Sequence, residues 1–174
     1  MQQNKGQKGF SLVELLIVVA IIGIVAAIAI PNLLASRRAA NEGSAISSLR
    51  TINSSEATYQ SSTGNGDFGD LTALRTANLV DFQLAGGSKS GYNFVVATTA
   101  QVTDAVTGAV TTLPTYTATS NPLTPTAGVT QTGTRKFGTI EEGVVLSSNA
   151  TLATAIPRAS LLSPIANGLK PVGQ

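Results

Sequence analysis

Lys8-Gly9-Phe10-Ser11-Leu12-Val13-Glu14-Leu15-Leu16 opens a run, Phe10 to Ile30, in which only Ser11, Glu14 and Gly23 are not clearly apolar. As a helix rising 1.5 Å per residue, this run spans about 31 Å, close to the thickness of a bilayer's hydrocarbon core. A helix that is apolar all round needs lipid or a large protein to cover it. A chain of 174 residues is too small to do so itself, and the run reads as a membrane-spanning helix. Ahead of it, Met1 to Gly9 is polar and carries Lys5 and Lys8 but no acid. A basic leader before an apolar stretch also describes a secretory signal peptide, and Ala27-Ile28-Ala29 matches an A-x-A cleavage pattern. Against that second reading stand the length of the run and the carboxylate near its start.

Glu14 is the most informative single residue. A carboxylate at the centre of a bilayer helix costs about 2.5–3.5 kcal/mol, less toward an end, and usually has a partner. Lying four residues into the run, it either reaches headgroup water or pairs with a cation inside the membrane. No Lys or Arg occurs between Lys8 and Arg37, so the run supplies no cation of its own. A cut directly before Phe10 would create one, because the new α-amino group would lie one helical turn from Glu14.

These residues closely resemble the class III signal of type IV prepilins: a small Gly before the scissile bond, Phe after it, Glu at the fifth mature position, then a long apolar helix. Ile17 to Pro31 resembles the rest of the pilin membrane helix. The resemblance implies that residues 1–9 are a leader removed by a membrane prepilin peptidase at Gly9–Phe10, which also N-methylates Phe10. It implies that Glu14 neutralises the Phe10 amino group of a neighbouring subunit during assembly. It further implies that the helix loosens in the filament between Gly23 and Pro31. Elementary chemistry agrees with the last point, because Pro31 lacks an N–H and clashes with the carbonyl four residues back, while Gly23 weakens the helix.

After Pro31 the helix can resume. Arg37 and Arg38 read either as interfacial anchors or as solvated charges. At 100° per residue, Ala45, Leu49, Ile52 and Tyr59 share one stripe, with Ser47, Arg50 and Ser54 broadly opposite, which makes an amphipathic helix in need of a partner. Glu56 falls on the apolar side, and nothing in the sequence accounts for it. Gly64-Asn65-Gly66 stops the helix. Residues 10–62 therefore form one long helix, with 10–30 as the transmembrane or filament-core part, and 63–174 form a globular head.

Within the head, residues 63–90 read as a loop with a short helix, Leu71 to Val80, N-capped by Asp70. Asn65, Asp67 and Asp70 hint at calcium but lack the closing Glu of a full loop pattern. A sheet is expected over 91–148. Tyr92 to Val96 makes a strand, Thr107-Gly108-Ala109 a hairpin turn, and Tyr116 to Thr119 a strand stopped by Asn121-Pro122. Arg135 to Ile140 and Gly143 to Ser147 form a last hairpin with Glu141-Glu142 as a solvated tip. The Thr-rich stretch 97–134 suits exposed strands, with O-glycan acceptors as the lesser alternative. Phe68 to Val96 also resembles one large group of bacterial pilins and pilin-like proteins. The tail, 149–174, carries Pro157, Pro164 and Pro171 and shows no clear periodicity, so it either wraps the head or hangs loose. The expected fold is α+β, a pilin fold whose long N-terminal helix packs on a small antiparallel sheet.

Composition narrows the chemistry. There is no Cys and no His, which excludes disulfides, thiolate nucleophiles, imidazole bases and zinc motifs built on them. Many pilins staple the C-terminal region with a disulfide; this chain departs from that pattern. Ser88 beside Lys89, and the adjacent Glu141 and Glu142, are the nearest approaches to catalytic pairs, and neither has a supporting motif. No enzyme, cofactor or metal site is expected.

Lys plus Arg total 11 and Asp plus Glu 9, a formal charge of +2. The excess lies in Lys5 and Lys8 of the leader, on the cytoplasmic side by the positive-inside rule, so the mature side chains balance. The resemblance implies a structural subunit that polymerises with itself into a type IV pilus used for adhesion, twitching motility or DNA uptake. Its other partners would be the peptidase, an inner-membrane assembly platform with its ATPase, and the bilayer before assembly, with nucleic acid entering only indirectly. The precursor would sit in the bacterial inner membrane and the filament at the cell surface. The alternative is a type II secretion pseudopilin or a minor pilin. The segment after Gly143 lacks any Asp or Glu, which argues against a C-terminal calcium site of the major-pseudopilin kind.

Overall fold

A computed structural model describes residues 9–126, 128–149, 156–164 and 167–173. The chain divides into two compact units, with the boundary between Ser36 and Arg37, and one helix, α1 (Leu12–Ser61), contributes to both. In the first unit α1 is helical throughout, Pro31 included. Its most apolar 18-residue window has a mean hydropathy of 3.0, and none of it is buried.

In the second unit α1 presents the expected stripe. Ala45, Leu49 and Ile52 are fully buried, yet Glu42, Ser48, Ser55 and Glu56 are buried with them. The helix ends where the glycines require it. The Gly64 and Gly66 N–H groups donate to the Tyr59 and Gln60 carbonyls at 2.7 and 3.0 Å, with Asn65 and Gly66 at positive φ. A Cβ on Gly64 would lie 2.2 Å from the Asp67 carbonyl oxygen, so only glycine fits.

Asp70 caps α2 (Leu71–Thr76) by accepting the Ala73 N–H at 2.7 Å. This helix is shorter than the sequence suggests. The Leu79 N–H reaches back to the Leu74 carbonyl at 2.9 Å while Asn78 takes φ 58°, a left-handed stop that a residue with a short polar side chain tolerates. Asp81 then caps a separate turn, α3 (Phe82–Ala85), through the Leu84 N–H.

The main sheet is antiparallel, in the order β1-β2-β5-β6-β7-β8. Its strands are β1 (Ser88–Lys89), β2 (Tyr92–Thr99), β5 (Thr115–Pro122), β6 (Arg135–Ile140), β7 (Leu146–Asn149) and β8 (Lys170–Pro171). Between β2 and β5, β3 (Val102–Thr103) and β4 (Val110–Thr112) pair as a separate hairpin. Its loop is ordered by Asp104, which accepts the Val106 and Thr107 N–H groups.

Two details differ from the sequence reading. β5 runs through Asn121 to Pro122, where Pro122 faces Tyr92 at the end of the ladder, a place where a missing N–H is tolerated. β7 begins at Leu146, because the Gly143 N–H closes a turn onto the Ile140 carbonyl at 2.9 Å.

The two central strands are covered on both faces. One face carries Tyr116, Ala118 and Phe137 into a core with Leu49, Ile52, Leu74, Leu84, Tyr92 and Phe94. On the other, Ile140 and Leu146 join Ile156, Leu161 and Leu169. The second layer comes from the tail: α4 (Arg158–Leu162) packs on β6, and β8 pairs with β7. A Cβ on Gly138 would lie 3.0 Å from Leu161, so the glycine admits α4. Of the two outcomes left open for the tail, its described residues take the docked one.

Candidate assembly site

At the start of the described chain, Gly9, Phe10 and Ser11 precede α1, and Phe10 is 93% exposed. The Leu15 N–H donates to the Ser11 carbonyl at 3.2 Å, which makes Ser11 the N-cap. The Glu14 carboxylate turns back and accepts the Ser11 N–H at 2.9 Å. Ser11-x-x-Glu14 is thus one arm of a capping box. The spacing was readable in the sequence, where Glu14 was weighed only as an interfacial or paired carboxylate. Within this single chain its partner is a backbone amide next to the Gly9–Phe10 bond.

Beyond this cap, Leu12, Leu15, Leu16, Ile21, Ile24 and Ile28 are all more than half exposed. A continuous apolar surface of this kind requires lipid or protein around it. Gly23 has open space where a Cβ would stand, so no contact described within the chain requires glycine there. The helix is continuous through Gly23 and Pro31, and the Asn32 side-chain amide donates to the Ile28 carbonyl at 3.1 Å.

In the second unit, polar contacts absent from the sequence reading hold α1 to the sheet. Glu42 accepts the Thr134 N–H and hydroxyl at 2.8 and 2.6 Å and the Arg135 Nε–H at 2.8 Å. Burial alone would raise its carboxyl pKa. The bonds from Thr134 and Arg135 outweigh burial and hold it below the usual carboxylate value. The Asn53 side-chain amide donates to the Tyr116 hydroxyl, which in turn donates to the Ile140 carbonyl at 3.2 Å.

The turn at Glu141-Glu142 is solvated only at Glu142. Glu141 takes a bidentate bond from the Arg158 guanidinium at 2.7 and 3.0 Å, and Arg158 also donates to the Tyr116 carbonyl at 2.6 Å. That clamp holds the tail to β5 and to the β6–β7 turn in a chain without disulfides. With Glu42 and Arg135 93 residues apart, and Glu141 and Arg158 17 apart, no local spacing announces either pair.

The remaining candidates are otherwise engaged. Lys89 pairs with Asp81 at 2.7 Å rather than serving Ser88. Asp67 accepts the Gln101 N–H at 2.6 Å and Asp70 caps α2.

The model of the prokaryotic N-terminal methylation motif matches residues 4–30. Over 38 residues the chain is 63% identical to the type IV wide pilus major component PilA4 of Thermus thermophilus, covering 22% of this chain and 29% of that protein. Over 95 residues it is 35% identical to the type IV major pilin protein PilA of Myxococcus xanthus, covering 54% of this chain and 40% of that protein. The matched stretches thus span less than half the length of either relative. No solved structure matches the chain.

Proposed function

We propose that this chain is a type IV pilin, a structural subunit that polymerises into a type IV pilus, a reading supported by its match to the methylation motif and its likeness to two pilins. The observation that carries the reading is the apolar window of α1, none of it buried, placed directly behind Gly9 and Phe10. Such a surface suits lipid in the precursor and the helices of neighbouring subunits in a filament.

In this reading the prepilin peptidase hydrolyses the Gly9–Phe10 amide, residues 1–9 leave as the leader, and the freed Phe10 nitrogen receives one methyl group. The exposure of Phe10 and the non-helical backbone from Gly9 to Ser11 favour access to that bond. The mature chain then carries an ammonium within a turn of Glu14. Glu14 exchanges its intrachain amide for the Phe10 ammonium of the next subunit, a charge-assisted bond that gains strength where water is excluded. Loosening between Gly23 and Pro31 would let the helices pack closely, since Pro31 supplies no N–H and Gly23 has open space around it. The precursor resides in the inner membrane, an assembly platform and ATPase extract it, and the filament at the cell surface serves adhesion, motility or DNA uptake.

Intact mass of the subunit from sheared surface filaments tests this. Loss of Met1–Gly9 plus one methyl is expected; an uncleaved chain, or a cut after Ala29, overturns it.

A further inference from the structure

Glu56 lies in the second turn from the end of α1 and is fully buried. Its Oε2 accepts the Gly69 N–H at 3.0 Å. Its Oε1 is buried with no partner among the described residues. Gly69 sits close against its neighbours: a Cβ added there would lie 3.0 Å from Tyr59 and 3.1 Å from Ala73. Phe68 on one side packs against Tyr116 with ring centroids 4.9 Å apart, and Asp70 on the other is fixed as the cap of α2. The segment from Gly64 to Asp70 is therefore tied to α1 by the Gly64 and Gly66 N–H groups at its start and by this one carboxyl group at its Gly69 end.

The charged and titratable groups acting on that carboxyl from the packed elements are Asp70, ahead of α2, and the Tyr116 phenol of β5. Neither is a cation. A neutral carboxyl at this place forfeits one hydrogen bond. An ionised one forfeits the hydration of a full charge and faces Asp70 as well, which costs far more.

We propose that Glu56 is a proton-dependent latch: protonated, it keeps the Gly69 end of this segment closed on α1, and on losing its proton it releases that end. Burial, reinforced by Asp70 and opposed by the Gly69 N–H, pushes its pKa up to about 7. A carboxyl whose pKa is raised on folding contributes stability that is complete below its unfolded value, near 4.5, and that falls as pH rises through about 7. The latch thus operates across neutrality, the opposite sense to a salt-bridged carboxylate.

The test uses the full chain in detergent and follows Gly69 amide protection, corrected for intrinsic exchange, between pH 5.5 and 8. Wild-type protection is expected to fall by about tenfold or more, while Glu56→Gln holds it nearly constant. Equal slopes in the two proteins, or a flat wild-type profile, overturn the latch. Should Glu56→Gln fail to fold, the Glu56 carboxyl is titrated directly by carbon NMR in the wild type. A midpoint above 6 supports the proposal and one at or below 4.5 refutes it. Neither measurement depends on filament formation, so the latch and the pilin reading fail separately.

Discussion

In the first stretch of α1, Leu12 is 76% exposed and Ile24 66%, whereas farther along the same helix Glu56 is fully buried and Glu42 is 6% exposed. Side chains that water disfavours stand outside in one stretch, and carboxylates that water favours stand inside in the other. Both stretches belong to one continuous helix; what differs is the surround each is built for. Residues 12–30 suit a medium that is itself apolar, so exposure costs nothing there. Residues 42–56 face a folded sheet, where each buried carboxylate needs a partner or a proton. Glu42 has its partners in Thr134 and Arg135, and Glu56 has only one.

The sharpest way to break this contrast is at Glu14. Glu14→Ala is expected to abolish surface filaments while the subunit still accumulates in the membrane, scored by electron microscopy of sheared material and by immunoblots of membranes. Normal filaments would remove the pairing role and leave Glu14 as a helix cap.

Next come paired truncations. Ile52→Ala should destabilise the folded head by about 2–5 kcal/mol in denaturant unfolding, as filled core positions do. Ile21→Ala, on the exposed stretch, should change it by no more than about 0.5 kcal/mol. Equal effects would mean that both stretches are packed alike within the subunit.

Glu42→Gln should cost about 1–3 kcal/mol near neutral pH. Because the folded pKa of Glu42 is lowered, its contribution is present above the unfolded carboxylate value and lost as pH falls through the folded one. The gap between wild type and variant should therefore narrow toward acid, as melting curves at pH 7 and pH 3 would reveal. A gap as large at pH 3 as at pH 7 would assign the loss to packing rather than to charge. The smallest effect is expected from Lys89→Ala, which removes a surface pair with Asp81 and should cost about 0.2–1 kcal/mol.

The apolar run and the stripe Ala45, Leu49, Ile52 were legible from residue order because helical periodicity and bilayer thickness are local rules. The turn glycines at 64–66 and the cap at Asp70 were legible for the same reason. Legibility failed where a residue's role depends on a distant one. Glu56 looked misplaced on its stripe until Gly69 and Tyr116 were brought beside it. Glu141 looked like a solvated turn until Arg158 reached it, and the tail showed no period because its elements are a short helix and a two-residue strand.

Sequence alone determined the long helix, the surround its first stretch requires, and the lack of thiol and imidazole side chains. Tertiary structure decided how the sheet is covered on both faces, how the tail is held without a disulfide, and what surrounds the buried carboxyls Glu42 and Glu56. The division has one physical cause. Periodicity and transfer free energy act along the chain, whereas desolvation and ion pairing are set by what the folded chain places within a few ångströms.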